Sequence, residues 1–138
     1  MRDGAKILVA YDGSEYSKKA LREAIDIAKK FSGSVTVLHV FWEPLASRRI
    51  EGMEVRDQPA MRLMEDAEKM LKASSVKYEM RSENSSQIPD VILKVAKEGG
   101  FDSIALGSRG MGGARAWLLG SVSSRIAAEA EKTVIIAK

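Results

Sequence analysis

The sequence lacks cysteine, has a single histidine and only three prolines, and contains no long apolar run. Without cysteine there can be no disulfide framework, no thiolate nucleophile and none of the usual structural zinc sites. The single histidine, His39, lies in the middle of an apolar run, where we expect a hydrogen-bonded core imidazole. No histidine is then left for a Ser-His-Asp triad, so we do not expect a hydrolase of that kind.

Neither sign of charge is in large excess. Lys and Arg number 22 against 19 Asp and Glu, and no basic run carries interleaved aromatic residues. We therefore expect no nucleic-acid partner. The first apolar run, residues 7–10, is too short for the core of a signal peptide or for a membrane span. We therefore expect a cytoplasmic protein without membrane contact.

The composition that is present is that of an ordinary globular protein, 45% hydrophobic and 30% charged over 138 residues, and it predicts one domain over residues 1–138. Short apolar or β-branched runs alternate with stretches of helical period. The runs predict strands at residues 6–11, 35–41, 76–81, 102–106 and 133–137. Helices are predicted from Ser14 to about Ser32, over 60–74, from Pro89 to about Gly99 and through Ile126 to Ala130, with a long loop over 42–59.

Strands that alternate with helices imply right-handed crossovers and a parallel sheet. The order of elements therefore predicts an α/β fold, a doubly wound three-layer α/β/α sandwich whose five-stranded parallel sheet has the order 3-2-1-4-5. In such a sheet a ligand binds beyond the carboxyl ends of the strands, where the winding reverses. That point lies between the first and fourth strands, where one loop follows Tyr11 and another begins at Gly107.

The second of these loops is rich in glycine and leads into a helix. It contains Gly107, Gly110, Gly112, Gly113 and Gly120, followed by Ser121, Ser123 and Ser124. Glycines let backbone N–H groups approach an anion closely, and a helix start adds unpaired N–H groups and the positive end of the dipole. The pattern predicts a phosphate cradle with serine hydroxyls as further donors, although it is neither a Walker A loop nor a dinucleotide fingerprint.

The spacing of these glycines resembles the ATP-binding signature of the universal stress protein family: Gly107, two residues, Gly110, nine residues, and then Gly120-Ser121. Four longer segments resemble the same family. They are ILVAYDGSEYSKKAL at the first strand and helix, VTVLHV at the second strand, FDSIALGSRG around the fourth strand and LLGSVSSRI at the last helix. The resemblance covers essentially the whole chain and is to the ATP-binding, UspA-like type.

The resemblance implies that ATP binds in the crevice together with Mg²⁺ or Mn²⁺. The residues that it places around the phosphates and ribose are Gly107, Ser108, Arg109, Gly110, Gly120, Ser121, Val122 and Ser123. Ala10 and Val40 match positions that border the adenine, and Tyr11 lies in the adjoining loop. Asp12 matches the acidic residue near the phosphates, where a carboxylate can hold the metal.

The resemblance also implies a homodimer, because the last strand is similar to the dimerisation edge of the family. An unidentified protein partner is expected in addition. Two segments depart from the family pattern. Residues 83–89 read ENSSQIP without the usual glycine before the proline, and residues 131–133 replace prolines often found before the last strand.

Together these features predict a nucleotide-binding stress-response or signalling module rather than an enzyme. Two other functions remain open: a slow metal-dependent ATPase or phosphotransferase that uses Asp12 with Ser121 or Ser123, and a partner-binding stress protein without nucleotide. Simpler roles also remain open for single residues. Gly107 and Gly110 could merely shape a tight turn, and Asp12 could cap the first helix.

Overall fold

Five strands alternate with four helices in the part of the chain that the computed structural model describes, residues 1–42, 59–110 and 119–138. The strands are β1 (Lys6–Ala10), β2 (Ser34–Phe41), β3 (Lys77–Asn84), β4 (Ser103–Gly107) and β5 (Thr133–Ala137). The helices are α1 (Glu15–Phe31), α2 (Pro59–Ser74), α3 (Ile88–Glu98) and α4 (Ser121–Glu129). Nearly all of the predicted long loop, together with Gly112 and Gly113, lies outside the described residues. None of the four described helices is long and apolar enough to cross a bilayer.

All five strands run parallel in one sheet of order β3-β2-β1-β4-β5. β1 lies in the centre, with Ile7 beside Val35 of β2 and Ser103 of β4. This arrangement confirms the predicted α/β fold and its strand order 3-2-1-4-5. The chain proceeds from β1 outward to β3 and then crosses to β4 on the other side of β1, so the winding reverses between β1 and β4.

Buried apolar side chains cover both faces of the sheet, because successive strand residues point to opposite faces and the central strands are apolar on both. One cluster joins the sheet to α1 and α2 and includes Ile7 and Leu71. The other joins the sheet to α3 and α4 and includes Leu8, Ile92 and Ile126. The protein is therefore a three-layer α/β/α sandwich, as predicted.

The boundaries of α1 follow from local interactions that the sequence predicts. The Ser14 hydroxyl accepts a hydrogen bond from the Ser17 N–H at 3.1 Å and so caps the N-terminus of the helix. At the other end Ser32 adopts the left-handed conformation with φ of 53°, and the Gly33 N–H donates to the Ala28 carbonyl at 2.8 Å. The first turn of α1 is thereby held close to the carboxyl end of β1.

The edge strand β3 is longer than the sequence predicts. Its eight residues pair in register with β2, from Lys77 beside Ser34 to Asn84 beside Phe41, whereas the predicted strand ends at residue 81. Conversely, β1 ends at Ala10, one residue before the predicted end. Strand ends depend on the backbone groups that the neighbouring strand offers, which side-chain alternation does not reveal.

The methionine-rich stripe of α2 is only partly buried. Ala67 and Leu71 are fully buried, and Met64 and Met70 pack against their cluster. Met61 shares the same helical period but is 40% exposed. The later turns of α2 therefore contribute to the core, whereas Met61 lies at the surface.

Candidate functional site

A cleft of about 390 Å³ opens at the carboxyl ends of β1 and β4, where the winding of the sheet reverses. Residues of α3, the first turn of α1 and the start of α4 complete its boundary. All of the predicted site residues except Ser108 line it: Ala10, Tyr11, Asp12, Val40, Gly107, Arg109, Gly110, Gly120, Ser121, Val122 and Ser123. The volume falls in the range of about 300–1,000 Å³ usual for small-molecule sites.

Five further residues, which were not predicted from the sequence, also line the cleft: Ser17, Leu38, Ile88, Ile92 and Leu106. Periodicity carried a signal for the four apolar ones. Leu38 lies on the same face of β2 as Val40, Leu106 directly precedes Gly107, and Ile88 lies one helical turn before Ile92. These side chains and Ala10 make one end of the cleft apolar.

Ser108 supports the cleft from outside it. Its N–H donates to the Ala137 carbonyl of β5 at 2.7 Å. Its carbonyl accepts from the Gly120 N–H at 2.7 Å and from the Ser123 hydroxyl at 2.9 Å. Ser108 is buried, and these bonds fix the end of β4 against both β5 and the start of α4.

The start of α4 borders the polar end of the cleft. The first N–H groups of a helix have no intrahelical partner, and the positive end of the helix dipole favours an anion there. The Ser123 hydroxyl donates to the Ser108 carbonyl and also lies 3.1 Å from the Gly120 carbonyl, so its single proton is directed to the backbone. Of the two serines expected to donate, only the exposed Ser121 is placed to offer its hydroxyl proton to a ligand.

Asp12 and Gly110 face each other across the polar end. One oxygen of the Asp12 carboxylate, Oδ1, accepts a hydrogen bond from the Ser14 N–H at 2.9 Å. The other, Oδ2, lies 2.6 Å from the position that a Cβ on Gly110 would occupy. The helix cap is Ser14, so the simpler role of Asp12 as the cap of α1 is not what the structure shows. A side chain at position 110 would displace the Asp12 carboxylate.

A metal ion at Asp12 would need ligands from outside the protein. In the described ranges, no group of three His, Cys, Asp or Glu residues could hold a metal ion. A hard cation such as Mg²⁺ takes oxygen ligands and commonly bridges one or two carboxylates and the phosphates of a substrate. The single carboxylate of Asp12 fits a cation that is shared with phosphates, and it does not fit a metal site built from protein ligands alone.

Arg109 supplies positive charge to the same end of the cleft. Its guanidinium carbon lies 4.3 Å from the centroid of the Tyr16 ring on the first turn of α1. A guanidinium is always protonated and offers five donors in a planar fork suited to phosphate or carboxylate. The polar end therefore combines a cation, a helix N-terminus and backbone N–H groups, all of which favour an anionic ligand.

His39 fixes the backbone beside the cleft. Its Nδ1 donates to the Tyr11 carbonyl at 2.8 Å, and its ring stacks on Phe41 with centroids 5.5 Å apart. The imidazole is buried and does not line the cleft. The prediction of a hydrogen-bonded core histidine is confirmed.

The Tyr11 side chain lies in the buried cluster beneath α1 and α2. It therefore points away from the apolar end of the cleft, which lies on the opposite face of the sheet. Its hydroxyl has no hydrogen-bond partner among the described residues. Burial raises the pKa of Tyr11 to about 12, and the negative charges of Asp66, Asp12 and Glu15 add to the shift. Deprotonation of this hydroxyl is therefore much harder in the folded protein than in the unfolded chain.

Tyr11→Phe is expected to reduce the loss in free energy of unfolding that occurs as the pH becomes alkaline. A tyrosine pKa raised from 10 to about 12 contributes stability below pH 10 that is lost as the pH rises towards 12. Between pH 9 and pH 11, wild type should lose about 1 kcal/mol more free energy of unfolding than the variant, measured by urea denaturation. At pH 7 the variant should be at least as stable, because it removes an unsatisfied buried hydroxyl.

Tyr78→Phe provides a comparison and not a pH-insensitive control, because the pKa of Tyr78 is also raised, first by partial burial and then by the charge and hydrogen bond of Glu68. The Tyr78 hydroxyl donates to Glu68 at 3.2 Å at the edge of the sheet, so this variant removes a hydrogen bond instead of an unpaired group. Equal pH profiles for wild type and Tyr11→Phe would contradict the assignment of the alkaline loss to Tyr11.

Comparison with known proteins returns one consistent result. The sequence model of the universal stress protein family matches residues 5–138. Universal stress protein YxiE of Bacillus subtilis is 31% identical over an alignment of 146 positions. The alignment covers 96% of this chain and 98% of that protein.

Two solved structures superpose over nearly the whole chain. The universal stress protein from Archaeoglobus fulgidus in complex with dAMP has a TM-score of 0.73 and 22% identity and covers 100% of both chains. A universal stress protein family protein from Arabidopsis thaliana with AMP bound has the same TM-score and identity and covers 97% of this chain and 91% of its own. At this level of identity these structures establish the fold.

Proposed function

Because the chain belongs to the universal stress protein family, we propose that it binds an adenine nucleotide in the cleft between β1 and β4 and acts as a nucleotide-dependent stress-response or signalling module. The observation that carries the proposal is the division of this one cleft into an apolar end and an anion-binding end. A nucleotide has the same division, with a flat base at one end and phosphate at the other.

The apolar end suits the base. Leu38, Val40, Leu106 and Ile92 offer aliphatic surface, and Ala10 leaves room beside them. Removal of apolar surface from water contributes roughly 25 cal/mol per Å². The proposal therefore places adenine between β2, β4 and α3, with the ribose and phosphates towards Asp12 and α4.

The polar end suits the phosphates. Gly107 and Gly110 bring backbone close to the cleft, and the start of α4 from Ser121 to Ser123 adds N–H donors. Arg109 adds a permanent positive charge. The bound AMP and dAMP of the two relatives support an adenine nucleotide as the ligand class.

ATP with Mg²⁺ or Mn²⁺ is the finer proposal. The Asp12 carboxylate lies at the phosphate end of the cleft, where it would hold the cation. A cation bound there supplies charge that offsets the negative charge of a triphosphate. Since Asp12 alone would repel phosphates, we expect ATP to depend on the divalent cation more strongly than AMP does.

Binding without rapid turnover is the activity that the cleft supports. Among its described lining residues Asp12 is the only carboxylate, and no histidine is present. A phosphoryl-transfer enzyme needs a residue that orients or deprotonates the attacking group. The described lining residues offer no second carboxylate or histidine for that task beside an Asp12 engaged with a cation, so we propose a binding protein and not an enzyme.

A homodimer through β5 is proposed together with nucleotide binding, in the cytoplasm. Among the described strands β5 is an edge strand that pairs with β4 alone, and its residues Ile135 and Ile136 remain half-buried in the single chain. An edge strand presents unpaired backbone groups on which a second chain can dock. The bond from Ser108 to Ala137 connects this edge to the cleft.

The test begins with the purified wild-type protein. It is denatured, and any released nucleotide is identified by chromatography and mass spectrometry. Refolded or nucleotide-free protein is then titrated calorimetrically with AMP, with GMP, and with ATP in the presence and absence of Mg²⁺. We expect one adenine nucleotide per chain, weaker binding of GMP, no phosphate release during the titration, and sedimentation as a dimer.

Each readout addresses a separate part of the proposal. No binding of either AMP or ATP would contradict nucleotide binding and favour the partner-binding role without nucleotide. Sustained phosphate release from ATP that is lost in Asp12→Ala would contradict the non-enzymatic role. Sedimentation as a monomer at all concentrations would contradict the dimer alone.

A further inference from the structure

Tyr16 is close to the cleft but does not line it. It belongs to the first turn of α1 and is half-buried. Its ring lies beneath the guanidinium of Arg109, with 4.3 Å between the guanidinium carbon and the ring centroid. Arg109 itself lines the cleft. Tyr16 therefore contacts a residue that lines the cleft without lining it itself.

The main chain and Cβ of Tyr16 are held in place by close packing against the end of β4. A Cβ built on Gly107 would lie 2.5 Å from the Cβ of Tyr16 and 2.7 Å from its carbonyl carbon. The main chain of α1 thus approaches the end of β4 as closely as glycine permits. The capped first turn of α1 holds the Cβ of Tyr16 at this point, from which its ring reaches the guanidinium of Arg109.

An aromatic ring at this position restricts the conformations of the arginine that stacks on it. A free arginine side chain samples many rotamers, and ordering it when a ligand binds costs affinity. A guanidinium that stacks on an aromatic face is attracted by the ring and keeps its N–H groups directed outward in the plane of the fork. Arg109 held in this way has lost part of its freedom before the ligand arrives.

We propose that Tyr16 is a positioning residue that holds Arg109 ready for the phosphate of the ligand and so makes the site prefer a nucleotide over the corresponding nucleoside. The inference rests on the proposed nucleotide-binding function and deepens it. Tyr16 acts through Arg109 and makes no contact with the ligand itself. Its contribution is therefore confined to the anionic end of the ligand.

The second cation near Tyr16 has a different role. Lys19 Nζ lies 5.7 Å from the same ring centroid and donates to the Lys138 carbonyl at 3.1 Å. Lys19 does not line the cleft. Lys19→Ala is therefore a matched control that removes a cation from the Tyr16 ring without altering the Arg109 stack.

The experiment compares AMP and adenosine binding to wild type, Tyr16→Leu, Tyr16→Phe and Lys19→Ala by titration calorimetry at one ionic strength. Leucine keeps the Cβ and the helix but removes the aromatic face, so AMP affinity should fall about 3- to 10-fold. Adenosine affinity should stay within about twofold, because the nucleoside has no group for Arg109. Tyr16→Phe keeps the face and should bind AMP like wild type, as should Lys19→Ala.

A double-mutant cycle separates positioning from packing. Arg109→Met keeps most of the side-chain length, removes the charge and should lower AMP affinity about 10- to 100-fold. In that background Tyr16→Leu should have no further effect on AMP binding. Thermal unfolding of each variant confirms that the binding measurements are made on folded protein.

The possible failures are distinguishable. If wild type binds neither AMP nor ATP, the proposed function fails and this inference fails with it. If wild type binds AMP but Tyr16→Leu binds it equally well, only the positioning role is overturned. It is also overturned if Tyr16→Leu weakens adenosine and AMP equally, or if its effect persists in Arg109→Met.

Discussion

Gly107→Ala is expected to lower the free energy of unfolding of the nucleotide-free protein by about 2 to 3 kcal/mol, near the upper end of the usual overpacking cost. The added Cβ would lie 2.5 Å from the Cβ of Tyr16, 2.7 Å from its carbonyl carbon and 2.9 Å from the Ser17 nitrogen. Two of these atoms belong to the main chain of α1 and cannot turn aside. The helix must shift away from β4, which should lower the melting temperature by about 5 to 10 °C.

Gly120→Ala is the stability control for this change. A Cβ at position 120 would meet its nearest neighbour, the Arg109 Cα, at an ordinary 3.5 Å, and its φ of −64° suits alanine. This variant should lose less than about 1 kcal/mol, including a small loss at the N-cap of α4. Urea unfolding of both apo variants measures the difference, and equal losses would show that the approach of α1 to β4 is not what requires glycine at position 107.

Gly110→Val is expected to abolish nucleotide binding while the protein stays folded. The new Cβ would lie 2.6 Å from Asp12 Oδ2, so the carboxylate must move, and the two methyl groups would occupy the polar end of the cleft. AMP affinity should fall at least about 100-fold, or roughly 2.7 kcal/mol. Since the clash is with the end of a half-buried side chain that can rotate, the free energy of unfolding should change by less than about 1 kcal/mol.

Gly100→Ala tests whether lost stability alone can explain lost binding. Gly100 is exposed after α3 with φ of +65°, where alanine is strained by about 1 kcal/mol or more. This variant should be less stable than Gly110→Val and still bind AMP with wild-type affinity by titration calorimetry. Wild-type affinity in Gly110→Val would instead show that the phosphate end of the ligand lies elsewhere.

The two glycines of one signature thus meet different requirements. At position 107 the glycine lets a helix approach a strand, and its effect belongs to folding. At position 110 it leaves space for the Asp12 carboxylate, and its expected effect is on the proposed binding of a nucleotide. The sequence presents both as one spacing pattern, because each requirement is set by a neighbour that is distant along the chain.

Ser123 illustrates the same limit within the candidate site. Its place after Gly120 at a helix start predicts a hydroxyl donor to phosphate. The structure directs its proton to the carbonyls of Ser108 and Gly120. That geometry arises only when β4 and α4 come together, so the local pattern carried no information about it. Ile88 and Ile92 of α3 were missed as cleft residues for a related reason: their helical period shows that they face the sheet, but their place beside the cleft depends on how α3 packs on it.

The sequence was enough to predict the order of strands and helices, the parallel sheet with its reversal point, and the two loops that meet there. These follow from hydrophobic periodicity, from Ser14 as a cap and from glycines at the ends of elements, all of which act over a few residues. Three features appear only in the folded structure: Arg109 stacks on Tyr16, α1 packs closely against Gly107, and Ser108 joins β5 to α4. Each of these depends on contacts between segments far apart in the chain, where packing and hydrogen-bond geometry select among side chains that look equivalent in sequence.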